Sequence, residues 1–208
     1  MKGLILKDWY MMKKYCRYYF FVCIGFILLS LISSSNMFFV FYPCLLCGMI
    51  PVNLLGYDER SRWTEYVGAL PYTKTQIVSA KYLIGLFTQI SMLIIICIAQ
   101  GIKMGIAHEF VLKEFLVLML LLLIMATVTS SMTLPFIFKL GVEKGRAAYY
   151  VMIGVACAGS IIASNLLSGG FQADIKWNGL LPVICLVGIG IYALSWYLSV
   201  VFYKKREI

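Results

Sequence analysis

Few residues of this 208-residue chain have the types and spacing that catalysis or metal binding requires. Cys44 and Cys47 have the C-x-x-C spacing of a zinc or redox pair, but no second cysteine or histidine pair accompanies them. Both lie in apolar sequence, where a thiol behaves as a small hydrophobic group, so we interpret them as structural. The only histidine, His108, falls in a predicted loop, where an incidental role is more common than ligand binding.

The nine acidic residues all map to predicted loops or to the ends of apolar segments. A charge at the centre of a bilayer costs at least about 2.5–3.5 kcal/mol and usually has a function. Intramembrane proteases, membrane hydrolases and proton-driven carriers need such groups, and none is predicted here. The phosphate-loop pattern G-x-x-x-x-G-K-[ST] is also absent, since residues 141–149 lack its spacing. We therefore expect no enzyme activity and no bound metal or cofactor in this chain.

The elements that carry these residues are predicted to be membrane helices. Hydrophobic residues make up 62% of the chain and charged residues 13%, whereas soluble domains have about 25% charged residues. A spanning helix needs about 20 mostly apolar residues. The sequence predicts an all-α integral membrane protein, a single domain over 1–208, with six spans at about 18–35, 37–57, 80–100, 114–138, 147–167 and 180–203.

The positive charges fix the predicted orientation. All but three of the 18 Lys and Arg residues fall in 1–17, 58–81, 139–146 and 204–208, and the exceptions are Lys103, Lys113 and Lys176. Because basic loops stay inside, we expect a multi-pass protein of a bacterial plasma membrane with both termini cytoplasmic. The net charge of +9 then faces membrane lipid and cytoplasm, and no nucleic-acid partner is predicted.

Residues 1–17 are predicted to form an interfacial amphipathic helix. Its apolar arc contains Leu4, Ile5, Trp9, Met11, Met12, Tyr15 and Cys16, and its lysines lie opposite. Asp8 falls inside the apolar arc, which is unusual for an acid. Two interpretations are open: Asp8 pairs with a base on another segment, or it is an ordinary acid of the first helical turns.

A second amphipathic helix is predicted over 58–71. Trp63, Tyr66, Val67 and Leu70 share one face, and Leu70-Pro71 ends the helix. Thr73 and Gln76 then have the spacing of a capping box, so the third span is predicted to begin near Lys74. We call residues 58–74 the elbow. The alternative is a helix that lies passively on lipid headgroups.

Uncharged polar residues inside the spans are candidates for lining a substrate path. They are Asn53, Gln89, Thr127, Ser130, Ser131, Thr133 and Asn165, together with Pro135. Pro135 removes a helix hydrogen bond, and neighbouring hydroxyl groups can satisfy the freed carbonyl. The alternative role of these side chains is contact between helices.

Two motifs carry a resemblance to a known family. They are "MKGLILKDWYMMKK" at the start and "YDERSRWTEYVGALPYTKTQIVSAKY" after the second span. With these the chain resembles the permease subunits of ABC-2-type ATP-binding-cassette exporters, and it is most similar to the branch that includes bacterial exporters of phenol-soluble modulins. The resemblance implies a pair of permeases, identical or different, each bound to a cytoplasmic ATPase that holds ATP and Mg. It also implies an ATPase-coupling elbow, whose candidate residues are Asp58, Glu59, Arg60, Arg62, Trp63, Tyr66, Leu70, Pro71 and Lys74.

The function predicted from these observations is outward transport of a hydrophobic or amphipathic substrate, such as a peptide, by a permease that a separate ATPase drives. The expected lack of buried charge favours such a cargo over small ions. The alternative is a non-transporting immunity or sensor protein that binds a membrane-active peptide.

Overall fold

A computed structural model describes residues 1–32, 38–106, 112–147, 150–151 and 177–205. These residues form helices and no strand. The helices are α1 (Lys2–Tyr15), α2 (Arg17–Ile32), α3 (Phe38–Gly48), α4 (Ile50–Arg60), α5 (Trp63–Val67), α6 (Lys74–Ile106), α7 (Leu112–Leu140) and α8 (Trp177–Lys205), with a further helical stretch at 142–147. The predicted all-α class is confirmed.

Four described segments are long and apolar enough to cross a membrane. They are Phe38–Arg60 (α3 with α4), Lys74–Ile106 (α6), Phe115–Leu140 (in α7) and Leu186–Lys205 (in α8). A fifth is possible only if α1 and α2, which are bent by 65° relative to each other, count together as one span. Residues 33–36, at the junction of the first two predicted spans, and nearly all of the predicted span at 147–167 lie outside the described residues. The number six therefore stays a prediction.

Close approach of α3, α4, α6 and α7 depends on small residues at the contacts. A Cβ atom added at Gly48 would lie 2.7 Å from the side chain of Thr129, and one added at Gly85 would lie 2.9 Å from Pro51. Both distances are shorter than real Cβ contacts, so glycine is required for these helices to pack as they do. Small residues at helix interfaces are the usual means of close packing in membranes.

One apolar part of the bundle interior contains the two spaced cysteines. Cys44 and Cys47 are buried free thiols in a cluster with Cys23, Ile50 and Leu54. These thiols fill the contact between α2, α3 and α4 as small apolar groups do.

Helix α1 covers most of the predicted N-terminal helix, and its interfacial position stays a prediction. It buries Leu4, Asp8 and Met12, which are spaced four residues apart and therefore share one face. This face packs on α2, α4 and α6. The unusual Asp8 thus lies at the centre of a helix–helix contact.

Candidate functional site

The elbow consists of two helical pieces with a sharp break between them. Helix α4 continues the preceding span as far as Arg60, and the five-residue α5 begins at Trp63. Between them Arg62 has φ 51°, a left-handed conformation that ends an α-helix. The prediction of one helix over 58–71 is therefore wrong, because the backbone reverses its twist at Arg62 and α5 ends at Val67, before Leu70.

The break divides the residues that were predicted to share one apolar face. Val67 is 3% exposed, and Trp63 packs beside it in the same apolar cluster. Tyr66, in contrast, is 69% exposed, and Leu70 lies beyond the helix on the surface. The single apolar face is therefore wrong: Trp63 and Val67 hold α5 to the bundle, and Tyr66 and Leu70 point away from it.

The predicted start of the next helix is confirmed. The Thr73 backbone N–H donates to Gln76 Oε1 at 3.2 Å, and the Gln76 N–H donates to Thr73 Oγ1 at 3.3 Å. This reciprocal pair is the capping box, and α6 begins at Lys74. The elbow therefore has a defined end, at which it joins a helix of 33 residues.

Beneath the elbow lies a buried cluster of two acids and two bases, which we call the charge cluster: Lys7, Asp8, Asp58 and Lys81. Lys81 Nζ lies 2.7 Å from Asp8 Oδ1 and 2.5 Å from Asp58 Oδ2. Lys7 Nζ lies 2.6 Å from Asp58 Oδ1 and 3.3 Å from Asp8 Oδ1. Acids and bases thus alternate around a ring that joins α1, α4 and α6.

The balance of the charge cluster is what allows its burial. Asp8 is 1% exposed, and Asp58 and Lys81 are also buried. An uncompensated buried charge costs several kcal/mol, and breaking a buried pair typically costs about 3–5 kcal/mol. With two positive and two negative charges in direct contact, no member of the ring is uncompensated.

The charge cluster tests two expectations from the sequence, the role of Asp8 and the lack of buried charge. Asp8 does pair with a base on another segment, Lys81 of α6, so the first interpretation is confirmed. The expectation of a chain without buried charge is wrong. In the charge cluster, Lys7 and Asp58 are 51 positions apart and Asp8 and Lys81 are 73 positions apart, so only the tertiary packing shows these pairs together. The one available signal was the acid placed inside an apolar arc.

Besides the two acids, Lys7 contacts an aromatic residue of the elbow. Its Nζ lies 4.3 Å from the centroid of the Trp63 ring, which is within the range of a cation–π contact. Lys7, Asp8 and Lys81 were not among the predicted site residues, although Lys7 and Asp8 belong to the first quoted motif and Lys81 to the second.

On its other side the elbow meets the stretch after α7. Glu59 Oε2 accepts a hydrogen bond of 3.1 Å from the Val142 N–H, and Arg146 Nη2 donates to Asn53 Oδ1 at 2.9 Å. An open pocket of about 560 Å³ lies here, lined by α4 and residues 140–146. Asn53, a predicted path residue, thus lies with the elbow and not with Gln89.

The predicted path residues of α6 and α7 lie in a helix contact. Gln89 Nε2 donates to the Ala126 carbonyl oxygen at 2.6 Å and to Ser130 Oγ at 2.7 Å. The other hydroxyl groups bond to carbonyls of their own helix: Thr127 Oγ1 to Ile124, Thr133 Oγ1 to Thr129, and Ser131 Oγ to Thr127. Gln89 and Ser130 thus join α6 to α7, whereas the hydroxyl groups of the other three residues bond within α7. Asn165 lies outside the described residues.

The carbonyl freed by Pro135 has a partner from another helix. Pro135 lacks the N–H that would bond to the Ser131 carbonyl one turn earlier. Ser195 Oγ of α8 donates to that oxygen at 2.7 Å. A hydroxyl group does satisfy the freed carbonyl, as expected, but it comes from α8 and not from the residues next to Pro135 in the sequence.

The nine residues predicted for the elbow thus fall into three groups. Asp58 is buried in the charge cluster, and Glu59, Trp63 and Lys74 are half-buried. The exposed strip, as we call the remainder, consists of Arg60, Arg62, Tyr66, Leu70 and Pro71. Of the nine predicted elbow residues, these five are the ones that a partner can reach.

Comparison with known proteins places the chain in a family. Residues 3–204 match the family described as ABC-2 family transporter protein. The chain belongs to the ABC-2 transporter family. It is therefore a multi-pass transmembrane permease component of an ATP-binding-cassette transporter, a type of subunit that works with an ATPase partner. No match was found among curated proteins or solved structures. The resemblance in the two motifs is confirmed for the family, and the peptide-exporter branch stays a prediction.

Proposed function

We propose that this ABC-2 permease exports a hydrophobic or amphipathic substrate, such as a peptide, and that its ATPase partner docks on the exposed strip of the elbow. In this proposal the partner binds ATP and Mg, and the chain itself has no catalytic activity. A second permease, identical or different, completes the transmembrane pathway. The chain lies in a bacterial plasma membrane with both termini cytoplasmic, as its concentration of Lys and Arg in four segments supports.

The observation that carries the docking proposal is the composition of the exposed strip. It places an aromatic ring, an aliphatic side chain and two guanidinium groups on one short segment between two membrane helices. Aromatic and Arg residues dominate binding energy at protein interfaces, and rim charges set orientation and association rate. Tyr66 is suited to act as the anchor, and Arg60 and Arg62 are suited to contact acids of the partner.

The connections of the elbow support transmission of force. Helix α4 runs from the second span directly to Arg60, and the capping box joins the elbow to α6. A displacement of the exposed strip therefore acts on two membrane helices at once. This is the property that a permease without its own nucleotide site needs.

The buried groups of α6 support an amphipathic cargo. The acids and bases of the charge cluster neutralise one another beneath the elbow. Beyond Lys81, the described buried residues of α6 with hydrogen-bonding side chains are Tyr82, Thr88, Gln89 and Gln100, all uncharged. Uncharged hydrogen-bonding groups among apolar side chains suit a substrate with both apolar and polar faces better than a small ion. We propose that Gln89 and the hydroxyl groups of α7 contact it when the helices separate.

Docking is tested with Tyr66→Ala and Leu70→Ala combined. Both side chains are exposed, so the fold is preserved while the anchor is lost. We expect the affinity for the ATPase to fall by at least about tenfold and substrate-stimulated ATP hydrolysis to fall with it. Binding is measured between the purified permease in nanodiscs and the purified ATPase.

The chain offers a matched control. Leu6→Ala with Tyr10→Ala removes the same two exposed side-chain types from α1, outside the elbow, and should leave ATPase affinity unchanged. An elbow variant that binds as tightly as this control would refute docking on the exposed strip.

Export itself is tested in inside-out vesicles that contain the permease and its ATPase. We expect ATP-dependent uptake of a fluorescent amphipathic helical peptide, and no uptake of a small charged dye. Family membership favours this transport function over the immunity or sensor alternative; equal ATP-independent binding of the peptide without uptake would favour that alternative instead.

A further inference from the structure

We propose that α1 positions the elbow, with Lys7 as the residue that fixes the angle between α4 and α5. Lys7 is then a positioning residue for the proposed ATPase docking, although it lies 51 positions before Asp58 in the sequence. The role in docking rests on the proposed function. The positioning itself concerns this chain alone and is tested without a partner.

The joint of the elbow is crossed by short-range backbone hydrogen bonds: the Arg62 N–H donates to the Glu59 carbonyl oxygen at 3.2 Å, and the Glu65 N–H donates to the Arg62 carbonyl oxygen at 3.1 Å. Arg62 has φ 51°, a conformation in which a non-glycine residue is strained. Such a conformation persists only where the surrounding structure fixes it. Helix α5 has five residues and no side-chain cap at its N-terminus, so contacts from outside the elbow add to these short-range bonds.

Lys7 contacts the chain on both sides of this joint. Its ammonium group lies 2.6 Å from Asp58, four residues before Arg62, and 4.3 Å from the ring of Trp63, directly after it. A change in the angle at Arg62 moves Trp63 relative to Asp58. Such a change therefore breaks the contact of Lys7 with either Asp58 or Trp63.

The rest of the charge cluster holds Lys7 in place. Asp8 lies 3.3 Å from Lys7 Nζ and 2.7 Å from Lys81 Nζ, and Lys81 in turn bonds to Asp58. Because these groups are buried and alternate in charge, none of them moves away without leaving a neighbour uncompensated. The ammonium of Lys7 is thus fixed relative to α4 and α6, and it fixes α5 relative to both.

Two further contacts join α1 to the second half of the elbow. Leu4 packs in the apolar cluster that contains Val67 and Trp63. A Cβ added at Gly3 would lie 3.0 Å from the hydroxyl of Tyr72, so α1 also approaches the chain just before α6. Helix α1 therefore contacts the elbow before the joint, in α5 and after α5.

Hydrogen exchange in the purified full chain in nanodiscs tests the positioning. Lys7→Gln removes the ammonium and keeps a polar side chain at a position that is 22% exposed. We expect backbone amides of 61–70 to exchange faster by on the order of tenfold, the factor given by about 1.4 kcal/mol. Lys14→Gln, the same change at an exposed site of the same helix, should leave exchange in 61–70 unchanged.

A conservative variant separates positioning from general loss of structure. Lys7→Arg keeps a cation that bonds to a carboxylate and stacks on an aromatic ring. We expect it to restore protection of 61–70 at least in part. Unchanged exchange in 61–70 with Lys7→Gln, or exchange that rises equally along α6 and α7, would overturn the proposal.

ATPase affinity of the same variants distinguishes this proposal from the previous one. Faster exchange in 61–70 together with weaker ATPase binding supports both. Faster exchange with unchanged ATPase binding supports positioning by Lys7 and refutes its role in docking, whereas docking itself is decided by the Tyr66 and Leu70 variant. Unchanged exchange refutes positioning even if the Tyr66 and Leu70 variants show that the elbow docks the ATPase.

Discussion

Two buried polar regions meet at consecutive residues of α6. Lys81 belongs to the charge cluster. Tyr82 belongs to a neutral cluster, in which its hydroxyl lies 2.7 Å from the hydroxyls of both Ser195 and Ser199 of α8. We call Tyr82, Ser131, Tyr192, Ser195 and Ser199 the hydroxyl cluster, since Ser195 also bonds to Ser131 and Tyr192 to the Tyr82 carbonyl.

The two regions differ in the kind of partner that their side chains need. A hydroxyl group can both donate and accept, and it finds carbonyl partners on its own helix, as Ser131 and Thr133 do. A buried ammonium or carboxylate has no such local substitute and depends on an opposite charge from another helix. The charge cluster therefore specifies how α1, α4 and α6 are arranged, and the hydroxyl cluster tolerates adjustment between α6, α7 and α8.

The largest effect is expected when the charge cluster loses one base. Lys81→Met leaves two acids with Lys7 alone, and we expect the free energy of unfolding to fall by about 3–5 kcal/mol. The measurement is reversible unfolding of the purified chain in mixed micelles. Adding Asp8→Asn restores neutrality around the remaining contact of Lys7 and Asp58, so the double variant should recover at least half of the loss. A double variant as unstable as the sum of its single changes would contradict charge balance as the cause.

A smaller effect is expected in the hydroxyl cluster. Ser195→Ala leaves the Ser131 carbonyl without a partner and should cost about 0.5–1.5 kcal/mol. In a Pro135→Ala background the N–H of residue 135 can bond to that carbonyl, so the same serine change should cost about half as much or less. Equal costs in the two backgrounds, measured in the same unfolding assay, would show that Ser195 acts through Tyr82 alone.

The smallest effect on stability is expected at Gln89. Gln89→Leu removes two interhelical hydrogen bonds, each worth about 0.6 kcal/mol on average in membrane bundles. It also removes Gln89 Oε1, a buried oxygen without a hydrogen-bond partner, which offsets part of the loss. We expect a change within about 1 kcal/mol and a reduced export rate in vesicles. Stability and export that both remain at the wild-type level would leave Gln89 with no function in the substrate path.

Features set by neighbouring residues were predictable from the sequence. The capping box of Thr73 and Gln76 depends on a spacing of three residues, and the apolar stripe of α1 depends on helical periodicity. The free carbonyl near Pro135 was also predictable, since a proline within a helix has no N–H to donate to the carbonyl one turn earlier. The hydroxyl that binds this carbonyl comes from Ser195, 64 positions away, and its identity could not be read locally.

The backbone of the elbow could not be predicted from the sequence. Arg62 has no side-chain property that favours a left-handed backbone, so the helical spacing of Trp63, Tyr66 and Leu70 pointed to one continuous face. The break is seen in the structure, where Arg62 has φ 51° and Lys7 contacts the chain on both sides of it. The charge cluster was missed because its members come from three helices, α1, α4 and α6, and the sequence alone does not show that these helices meet.

The length of α6 makes it a lever arm. At 1.5 Å per residue its 33 residues measure about 50 Å, longer than the roughly 30 Å apolar layer of a membrane. The elbow and Lys81 occupy one end, and near the other Gln100 and Lys103 bond to Ser30 of α2 at 3.1 and 2.6 Å. A tilt of only about 5° at the elbow would carry the far end about 4 Å sideways over that length. That displacement exceeds the reach of these hydrogen bonds, so a modest rotation on one side of the membrane suffices to detach α6 from α2 on the other.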